Sequence, residues 1–295
     1  MSNIVSLAQI LEKAKTSAYA IGSFSPRYIY MIRPIILAAI AQNSPAIVQI
    51  SEKEINTRIV NIKDFAKEFY KQAEELQPTP PLCLHLDHTK TIHLIKTAIN
   101  CGFCSVMIDA SEYELNENIS ITKETVKYAH SYNVSVEAEL GRIGTTDFEE
   151  TDKDEVFYTD PQEAAIFCEK TNIDAIAVSV GTAHGPYINR EPKIDYNRLI
   201  EIQKLTKTPL VLHGASGIPK EMLIKSISLQ GGGISKVNIA TDLEYAMLKT
   251  INEPKHITDE ILKIFDIKAI EKAQIAVQAV VENKIKDYLL SANKM

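Results

Sequence analysis

The sequence is poor in glycine and contains no tryptophan. Glycine accounts for 11 of the 295 residues, whereas proteins on average use it at about 7% of positions. Hydrophobic residues make up 45% of the chain and charged residues 24%, which is enough apolar material for a core and excludes a disordered chain. Because glycine is scarce, we expect it where the backbone has no alternative.

Long hydrophobic runs are missing as well. The longest, such as Pro34–Ala41 and Ala175–Gly181, are far too short to span a bilayer. The segment Met1–Lys15 contains charged residues and lacks an apolar core followed by a small-residue cleavage site, so it does not have the pattern of a secretory signal. The sequence therefore predicts a protein without membrane segments.

Cysteine is sparse and follows no metal or disulfide pattern. Cys101 and Cys104 form a lone CxxC, and the remaining two, Cys83 and Cys168, do not form a second pair. A zinc site or a redox motif needs a second pair or a thioredoxin-like helix start, so we interpret these residues as buried small side chains. The expected compartment is the reducing cytoplasm.

Positive charge is not concentrated anywhere along the chain. The formal net charge is -6, and the sequence contains no long basic stripe, which disfavours nucleic acid as a partner. An anionic substrate would have to be held by local groups, because the overall field of the protein does not attract it.

Short runs rich in β-branched residues recur along the whole chain. They are nearly continuous in apolar residues, which is typical of strands buried on both faces of a parallel sheet. The runs are Ala18–Ser23, Ala46–Ile50, Leu82–Leu86, Ser105–Asp109, Ser135–Leu140, Ala175–Val180, Leu210–His213 and Lys236–Ile239. Helical periodicity separates several of them, at Ile62–Leu76, Ile119–Tyr132, Gln162–Lys170 after the Asp160-Pro161 cap, Tyr196–Leu205 and Lys220–Leu229.

Eight strands alternating with helices over about 250 residues match a (β/α)₈ TIM barrel. The alternative is a doubly wound open sheet, which should carry a glycine-rich phosphate turn near its first strand. Gly22 stands alone at that position. We therefore predict an α/β chain with a single (β/α)₈ barrel domain over residues 1–295 and a C-terminal helical extension at about 258–290.

Three histidines follow three of the predicted strands. His88, His184 and His213 lie where the third, sixth and seventh strands end, and in a TIM barrel these ends form the catalytic face. A catalytic zinc uses three protein ligands and keeps a fourth position open. Each histidine taken alone is better explained as a hydrogen-bonded structural residue, but the three together predict a metal site.

Carboxylates accompany the histidines. Asp87 directly precedes His88 and is a candidate general acid/base facing a substrate hydroxyl; the alternative is that it holds a ligand histidine in place. Asp109 and Glu139 end the fourth and fifth strands. They are candidates for metal ligands at a second or monovalent cation position, or for groups that orient the histidines.

Glycine and hydroxyl residues cluster after the last three strands. Ser216 lies between Gly214 and Gly217 after the seventh strand, and Gly185 follows the sixth strand. Asn238 and Thr241 lie at the end of the eighth strand. Backbone N–H groups at such loops bind phosphate without cationic side chains, and barrels often bind phosphate there. Ordinary turn glycines and helix caps are the alternative interpretation.

Together these segments resemble the class II, zinc-dependent ketose-bisphosphate aldolases. The resemblance runs from about residue 18 to the C-terminus, and Thr159–Ala164 and Val280–Asn293 are most similar to the tagatose-bisphosphate branch, with the fructose-bisphosphate enzymes close to it. The matching segments are His85–His88, Ser105–Ser111, Ser135–Gly141, Gly181–Gly185, His213–Ser216 and Asn238–Thr241.

The resemblance implies cleavage of a ketose 1,6-bisphosphate to dihydroxyacetone phosphate and glyceraldehyde 3-phosphate. Zinc on the three histidines would act as a Lewis acid, Asp87 would move the proton of the C4 hydroxyl, and Ser51 would lie near the second phosphate. The resemblance also suggests a homodimer or homotetramer. The residues that would hold the dihydroxyacetone phosphate end are Gly185, Gly214, Ala215, Ser216, Asn238, Ile239, Ala240 and Thr241.

Several positions depart from the family pattern. Ser25 replaces the usual Asn after the first strand, Ile188 replaces a Lys, and Lys268 stands where an Arg is usual. In the loop after the fifth strand, Asp147 is the nearest candidate for the acidic residue that relays the enediolate proton. These changes leave two alternatives open, namely an aldolase with a different aldehyde and a catalytically weak relative that acts as a binding or scaffolding subunit.

Overall fold

Eight parallel strands close into a barrel. The computed structural model describes residues 3–58, 60–145, 157–185, 187 and 191–295. Around the barrel the order is β1–β8–β7–β6–β5–β4–β3–β2, which confirms the predicted (β/α)₈ TIM barrel. The strands are β1 (Ile21–Phe24), β2 (Ala46–Ser51), β3 (Leu82–Thr89), β4 (Ser105–Ile108), β5 (Ser135–Leu140), β6 (Ala175–Val178), β7 (Leu210–Leu212) and β8 (Ile234–Ile239).

Helices follow the strands and cover the barrel. Their bounds are α1 (Leu7–Leu11), α2 (Ile32–Ala41), α3 (Glu52–Arg58), α4 (Ile62–Leu76), α5 (Ile92–Asn100), α6 (Leu115–His130), α7 (Pro161–Thr171), α8 (Tyr196–Leu205), α9 (Lys220–Ile227), α10 (Thr241–Thr250), α11 (Asp259–Leu262) and α12 (Ile267–Asn283). The structure also contains two short 3₁₀ turns, Ala14–Thr16 and Ile29–Met31, and a π-helical turn, Lys284–Tyr288. Two short segments, Gly144–Thr145 and Ala183–His184, form a separate two-stranded sheet.

Local capping explains several of these boundaries. The Asp160 carboxylate accepts hydrogen bonds from the backbone N–H groups of Gln162 and Glu163 at 2.9 and 3.0 Å, with Pro161 in the first turn of α7. This confirms the predicted cap and follows from the preference of Pro for the first helical position. Asn61 caps α4 in the same manner, and α4 spans the predicted residues.

Alternation along the strands separates two apolar layers. Cys83 of β3 and Ile47 of β2 belong to the cluster inside the barrel, whereas Leu84 and Leu86 face the surrounding helices. The short helix α1 closes the barrel at its amino-terminal end, where Leu7, Ile10 and Leu11 pack on the interior cluster. The interior is therefore apolar at that end, and polar side chains occupy the opposite end.

The C-terminal helices pack outside the barrel. Helix α12 lies against α2 and α10, and the segment after it returns to the first strand, where the Ala20 N–H donates to the Leu289 carbonyl at 3.0 Å. The Asp259 side chain at the start of α11 accepts a hydrogen bond from the backbone N–H of Ile29 at 3.0 Å. This contact ties the extension to the loop after β1.

Among the residues that the structure describes, no helix combines the length and the apolar character that a membrane crossing requires.

The buried Asp259 predicts a specific pH dependence of stability. Burial raises the pKa of Asp259 to about 6, whereas in an unfolded chain an aspartate titrates near pH 4, about 3.9. Between these values the folded protein binds more protons, so this group makes stability fall as the pH rises from about 4 to 6. In urea unfolding across this range, Asp259→Asn should remove that decline, because the amide oxygen still accepts from Ile29 but does not ionise.

The matched control is Asp266→Asn, which removes an exposed carboxylate that makes no capping hydrogen bond at the start of α12. Its free energy of unfolding should follow the wild-type pH profile. Equal pH slopes for wild type and Asp259→Asn would contradict the assignment.

Candidate active site

The site begins with a break in the regular structure of β3. By strand alternation, Asp87 should face the barrel interior, as Cys83 does, and His88 should face outward. His88 instead has a φ of 39°, and the pairing of β3 with β4 shifts register between Leu86 and Thr89. Its backbone N–H lies 3.4 Å from the Met107 sulfur. Because bulges redirect side chains, Asp87 and His88 both face the carboxyl end of the barrel.

The three predicted histidines meet at this end. His88 Nε2 lies 3.2 Å from His184 Nε2 and 2.7 Å from His213 Nδ1. One nitrogen of each ring falls within a group in which all nitrogens lie within 4.8 Å of one another. Three convergent imidazole nitrogens form a donor set that suits zinc or a similar divalent metal.

Carboxylates hold the outer nitrogens of two of the rings. His213 Nε2 lies 2.9 Å from a Glu137 oxygen, and His88 Nδ1 lies 3.0 Å from an Asp109 oxygen. Such partners fix the tautomer of a ligand histidine and leave the lone pair of the other nitrogen facing the metal. Two of the three rings are thus oriented for ligation.

A buried lysine supports this arrangement. Lys236 Nζ lies 2.8 Å from the second oxygen of Glu137, and both side chains are fully buried. Burial disfavours the Glu137 anion, but Lys236 and the hydrogen bond to His213 lower the pKa of Glu137 to about 2. The ionised Glu137 accepts the N–H of His213 throughout the neutral pH range.

The position of His184 depends on the close approach of the Ala183 backbone to Gly214. Ala183–His184 pairs in parallel with Gly144–Thr145, and a Cβ on Gly214 would lie 2.4 Å from the Ala183 carbonyl oxygen. The Tyr187 hydroxyl accepts from the Ala183 N–H at 2.9 Å and donates to the Gly214 carbonyl at 3.0 Å. The loops after β6 and β7 therefore hold His184 against the other two histidines.

Asp87 lies beside the histidines in a network of amide donors. Its Oδ2 accepts from Gln49 Nε2 at 3.0 Å, and its Oδ1 accepts from Asn238 Nδ2 at 3.2 Å. Burial opposes ionisation, but His88, with further contributions from His85 and His213, holds the pKa of Asp87 well below its usual range. Asp87 is therefore a carboxylate at neutral pH.

The site as a whole favours a bound cation. Burial alone would lower the pKa of His88, but the carboxylates of Asp87, Asp109 and Glu139 raise it to about 10. Burial and the neighbouring Asp109 raise the pKa of Glu139 to about 8. The His88 shift reflects the carboxylates around this ring, whose negative charge a divalent metal would compensate.

The pKa of His184 shifts in the opposite direction from that of His88. Its pKa falls well below the usual value because of burial and of the charges of His88 and His213. A neutral imidazole is the form that ligates metals, so His184 is in the form that a metal requires. His88, Asp109 and Glu139 form a second group of convergent donors.

The predicted phosphate-binding residues lie in neighbouring loops. The Ser216 hydroxyl accepts from the Ala240 N–H at 3.3 Å, which joins the loop after β7 to the start of α10. Gly185 and Gly214 have positive φ values of 113° and 66°. The Ala215 and Ile239 side chains are buried in the core, so these two residues can offer only backbone groups to a ligand.

Of the remaining predicted residues, some are described by the structure and others lie outside the described residues. Ser51 pairs with Asp87 across β2 and β3, and Thr241 Oγ1 accepts from an Arg27 N–H at 3.4 Å. Asp147 and Ile188 lie outside the described residues. Asp147 therefore stays a prediction.

Several residues at the site were not predicted from the sequence. Gln49 and Lys236 lie on interior positions of β2 and β8, where their polarity within apolar strands was the available signal. Arg27, Glu54 and Glu244 meet at the barrel mouth, with Arg27 in contact with both carboxylates. They come from three distant segments, so no local pattern joins them.

Comparisons with known proteins match the chain over nearly its whole length. The model of the family "Fructose-bisphosphate aldolase class-II" matches residues 5–294. A Shouchella clausii protein named 6-phospho-5-dehydro-2-deoxy-D-gluconate aldolase is 38% identical over 294 residues, covering 96% of this chain and 94% of the relative. A Helicobacter pylori fructose-bisphosphate aldolase is 38% identical over 308 residues, covering 97% of this chain and 98% of the relative.

Solved structures give the same result. The crystal structure of the YdjI aldolase from Escherichia coli K12 superposes with a TM-score of 0.81 at 30% identity, covering 99% of both chains. Family match, sequence relatives and structure agree over nearly the whole length. The chain therefore belongs to the class II fructose-bisphosphate aldolase family, whose members are carbon–carbon lyases and generally depend on a metal.

Proposed function

We propose that this chain catalyses the reversible aldol cleavage of a ketose 1-phosphate, with dihydroxyacetone phosphate as one product and zinc as the catalytic metal. The observation that carries the proposal is the convergence of His88, His184 and His213 beside the ionised Asp87. Fructose and tagatose 1,6-bisphosphate contain the dihydroxyacetone phosphate half together with a phosphorylated aldehyde half. Other ketose 1-phosphates contain the same half with a different aldehyde.

The residues present fit a zinc ion. Three imidazole nitrogens face one point, and carboxylates occupy the outer nitrogens of His88 and His213. Zinc held by the three histidines would act as a Lewis acid toward the carbonyl of dihydroxyacetone phosphate. Asp109 and Glu139 would orient His88 or hold a second or monovalent cation, as their joint grouping with that histidine supports.

Asp87 would handle the proton of the C4 hydroxyl. In the cleavage direction the Asp87 carboxylate accepts this proton, the C3–C4 bond breaks, and the C4–O bond becomes the aldehyde carbonyl. The electron pair of the broken bond stays on the dihydroxyacetone phosphate half as an enediolate, which then takes up a proton at carbon. A base that is ionised at neutral pH and held by amide donors suits the first step.

The loops after β7 and β8 would bind the phosphate of this half. The N–H groups around Gly214 and at the start of α10 lie at the carboxyl end of the barrel, where helix N-termini and turn N–H groups bind anions. Ser216 and Thr241 add hydroxyl groups there. The positive φ of Gly214 and the close approach of Ala183 leave room for hydrogen only at its α-carbon.

Metal removal tests the proposal directly. The chelated, verified metal-free protein should lose ketose cleavage and should no longer exchange the dihydroxyacetone phosphate C1 proton with deuterium from solvent, and added zinc should restore both. His213→Ala should abolish zinc occupancy while the circular dichroism spectrum keeps its barrel signature. Cleavage by protein shown to contain no metal would refute the mechanism.

A glycine substitution tests the role of the loop after β7. Gly214→Ala should lower zinc occupancy and reduce cleavage at least about a hundredfold, as expected when catalytic geometry moves by about 1 Å, because the added Cβ would displace Ala183 and with it His184. Zinc content and kcat measure both effects.

Gly231→Ala is the matched control. Gly231 also has a positive φ, 92°, but a Cβ there would have no neighbour within 4 Å. Both variants carry the backbone strain of a left-handed alanine, whereas only Gly214→Ala adds the clash. Equal losses of zinc in the two variants would show that the approach of Ala183 is not what holds His184.

A further inference from the structure

An arginine with two carboxylates lies at one side of the barrel mouth. Arg27, on the loop after β1, places Nε 3.2 Å from Glu54 Oε1 of α3, and its Nη1 contacts Glu244 Oε2 of α10. Its Nη2 donates to Thr241 Oγ1 at 3.4 Å. We call Arg27, Glu54 and Glu244 the mouth cluster.

The mouth cluster flanks Asp87. Glu54 accepts from the Ser51 N–H at 3.0 Å and returns its own N–H to the Ser51 hydroxyl at 3.1 Å, and Ser51 pairs with Asp87 on the next strand. On the other side, the Thr241 contact of Arg27 lies in the loop that carries Asn238, a donor to Asp87. The metal-site groups come from β3 to β7, whereas the mouth cluster occupies the side formed by β1, β2 and β8.

The net charge of the mouth cluster is not positive. One guanidinium faces two carboxylates, and the Glu244 side chain is only 2% exposed. Tyr28 Oη also donates to Glu244 Oε1 at 2.8 Å, and the exposed His256 contacts the same oxygen at 2.7 Å. Even if His256 is protonated, the positive charges only balance the negative ones.

The positive charge of Arg27 is therefore balanced by the carboxylates of Glu54 and Glu244. A substrate phosphate at this side would be repelled by the carboxylates of Glu54, Glu244 and Asp87, since partly buried charges interact strongly at short range. The Ser51 N–H, which would otherwise be free to bind an anion, already donates to Glu54. Hydroxyl groups carry no charge and can still bond to carboxylates and to remaining guanidinium N–H groups.

We propose that the mouth cluster makes the aldehyde side of the site select a neutral hydroxyaldehyde over a phosphorylated one. This inference rests on the proposed function, because it assumes that the carbons beyond C4 extend past Asp87 toward β1, β2 and β8. The preferred substrates are then ketose 1-phosphates without a second phosphate, and Arg27, Glu54 and Glu244 determine this specificity.

The test compares kcat/KM for fructose 1-phosphate and fructose 1,6-bisphosphate, and for the corresponding tagatose pair, with zinc-loaded full-length protein. Wild type should prefer at least one of the 1-phosphates about tenfold or more over its bisphosphate. The ratio of bisphosphate to 1-phosphate should rise about tenfold in Glu54→Gln and in Glu244→Gln, and fall about tenfold in Arg27→Gln, as expected for one charge at short range in a partly screened site.

The control variant is Glu74→Gln, which removes an exposed carboxylate on α4 and should leave the ratio unchanged. Circular dichroism confirms that each variant is folded. A merely structural role of the mouth cluster would change both kcat/KM values together and leave their ratio constant, which would overturn the proposal.

Other outcomes are equally decisive. A wild-type preference for both bisphosphates, lost in Arg27→Gln, would show that Arg27 binds the second phosphate and would overturn the proposal. Exchange of the dihydroxyacetone phosphate proton without cleavage of any of the four ketoses would overturn this inference alone. If the zinc-loaded protein shows neither exchange nor cleavage, the proposed function itself fails.

Discussion

The active site depends on one constraint, that two adjacent residues of a strand must face the same side. Asp87 and His88 are neighbours in β3, and regular strand geometry would send their side chains to opposite faces of the sheet. The left-handed backbone of His88, with φ at 39°, and the register shift toward β4 solve this conflict. Such a conformation in a residue other than glycine costs about 1–3 kcal/mol, and the surrounding barrel supplies the stability that maintains it.

The groups around His88 turn this local geometry into a centre that attracts cations. Asp109 and Glu139 approach its outer nitrogen, while His213 is held by Glu137. That carboxylate is in turn paired with the fully buried Lys236. Buried ion pairs rarely stabilise a fold on balance, because desolvation offsets their attraction. Their value here is orientation, since the carboxylate on the outer nitrogen of His88 and of His213 fixes the tautomer of that ring.

The chain pattern predicted the scaffold better than the site. Apolar runs such as Ala46–Ile50 and caps such as Asp160-Pro161 depend on local chemistry, which the sequence carries in full. The three histidines were also predictable, because strand ends converge in any closed barrel. The scarce glycine follows the same logic, since Gly214 lies where the Ala183 backbone leaves no room for a side chain.

Other features depend on contacts between distant segments. The register shift at His88 occurs in the pairing of β3 with β4. The residue types at positions 87–89 do not predict it. Arg27 meets Glu54 and Glu244 across 27 and 217 positions of the chain, so their mutual neutralisation is visible only after folding. The resemblance to aldolases predicted the family, whereas the contacts of Arg27 with Glu54 and Glu244 follow from the fold.

X-ray absorption spectroscopy of the zinc-loaded protein tests most directly whether the turn at His88 completes a three-histidine centre. We expect a shell of nitrogen or oxygen ligands at about 2.0–2.1 Å, with the outer-shell scattering of three imidazole rings. His88→Ala should leave at most two imidazoles in the spectrum. A sulfur shell at about 2.3 Å, or a wild-type spectrum without imidazole scattering, would contradict the account.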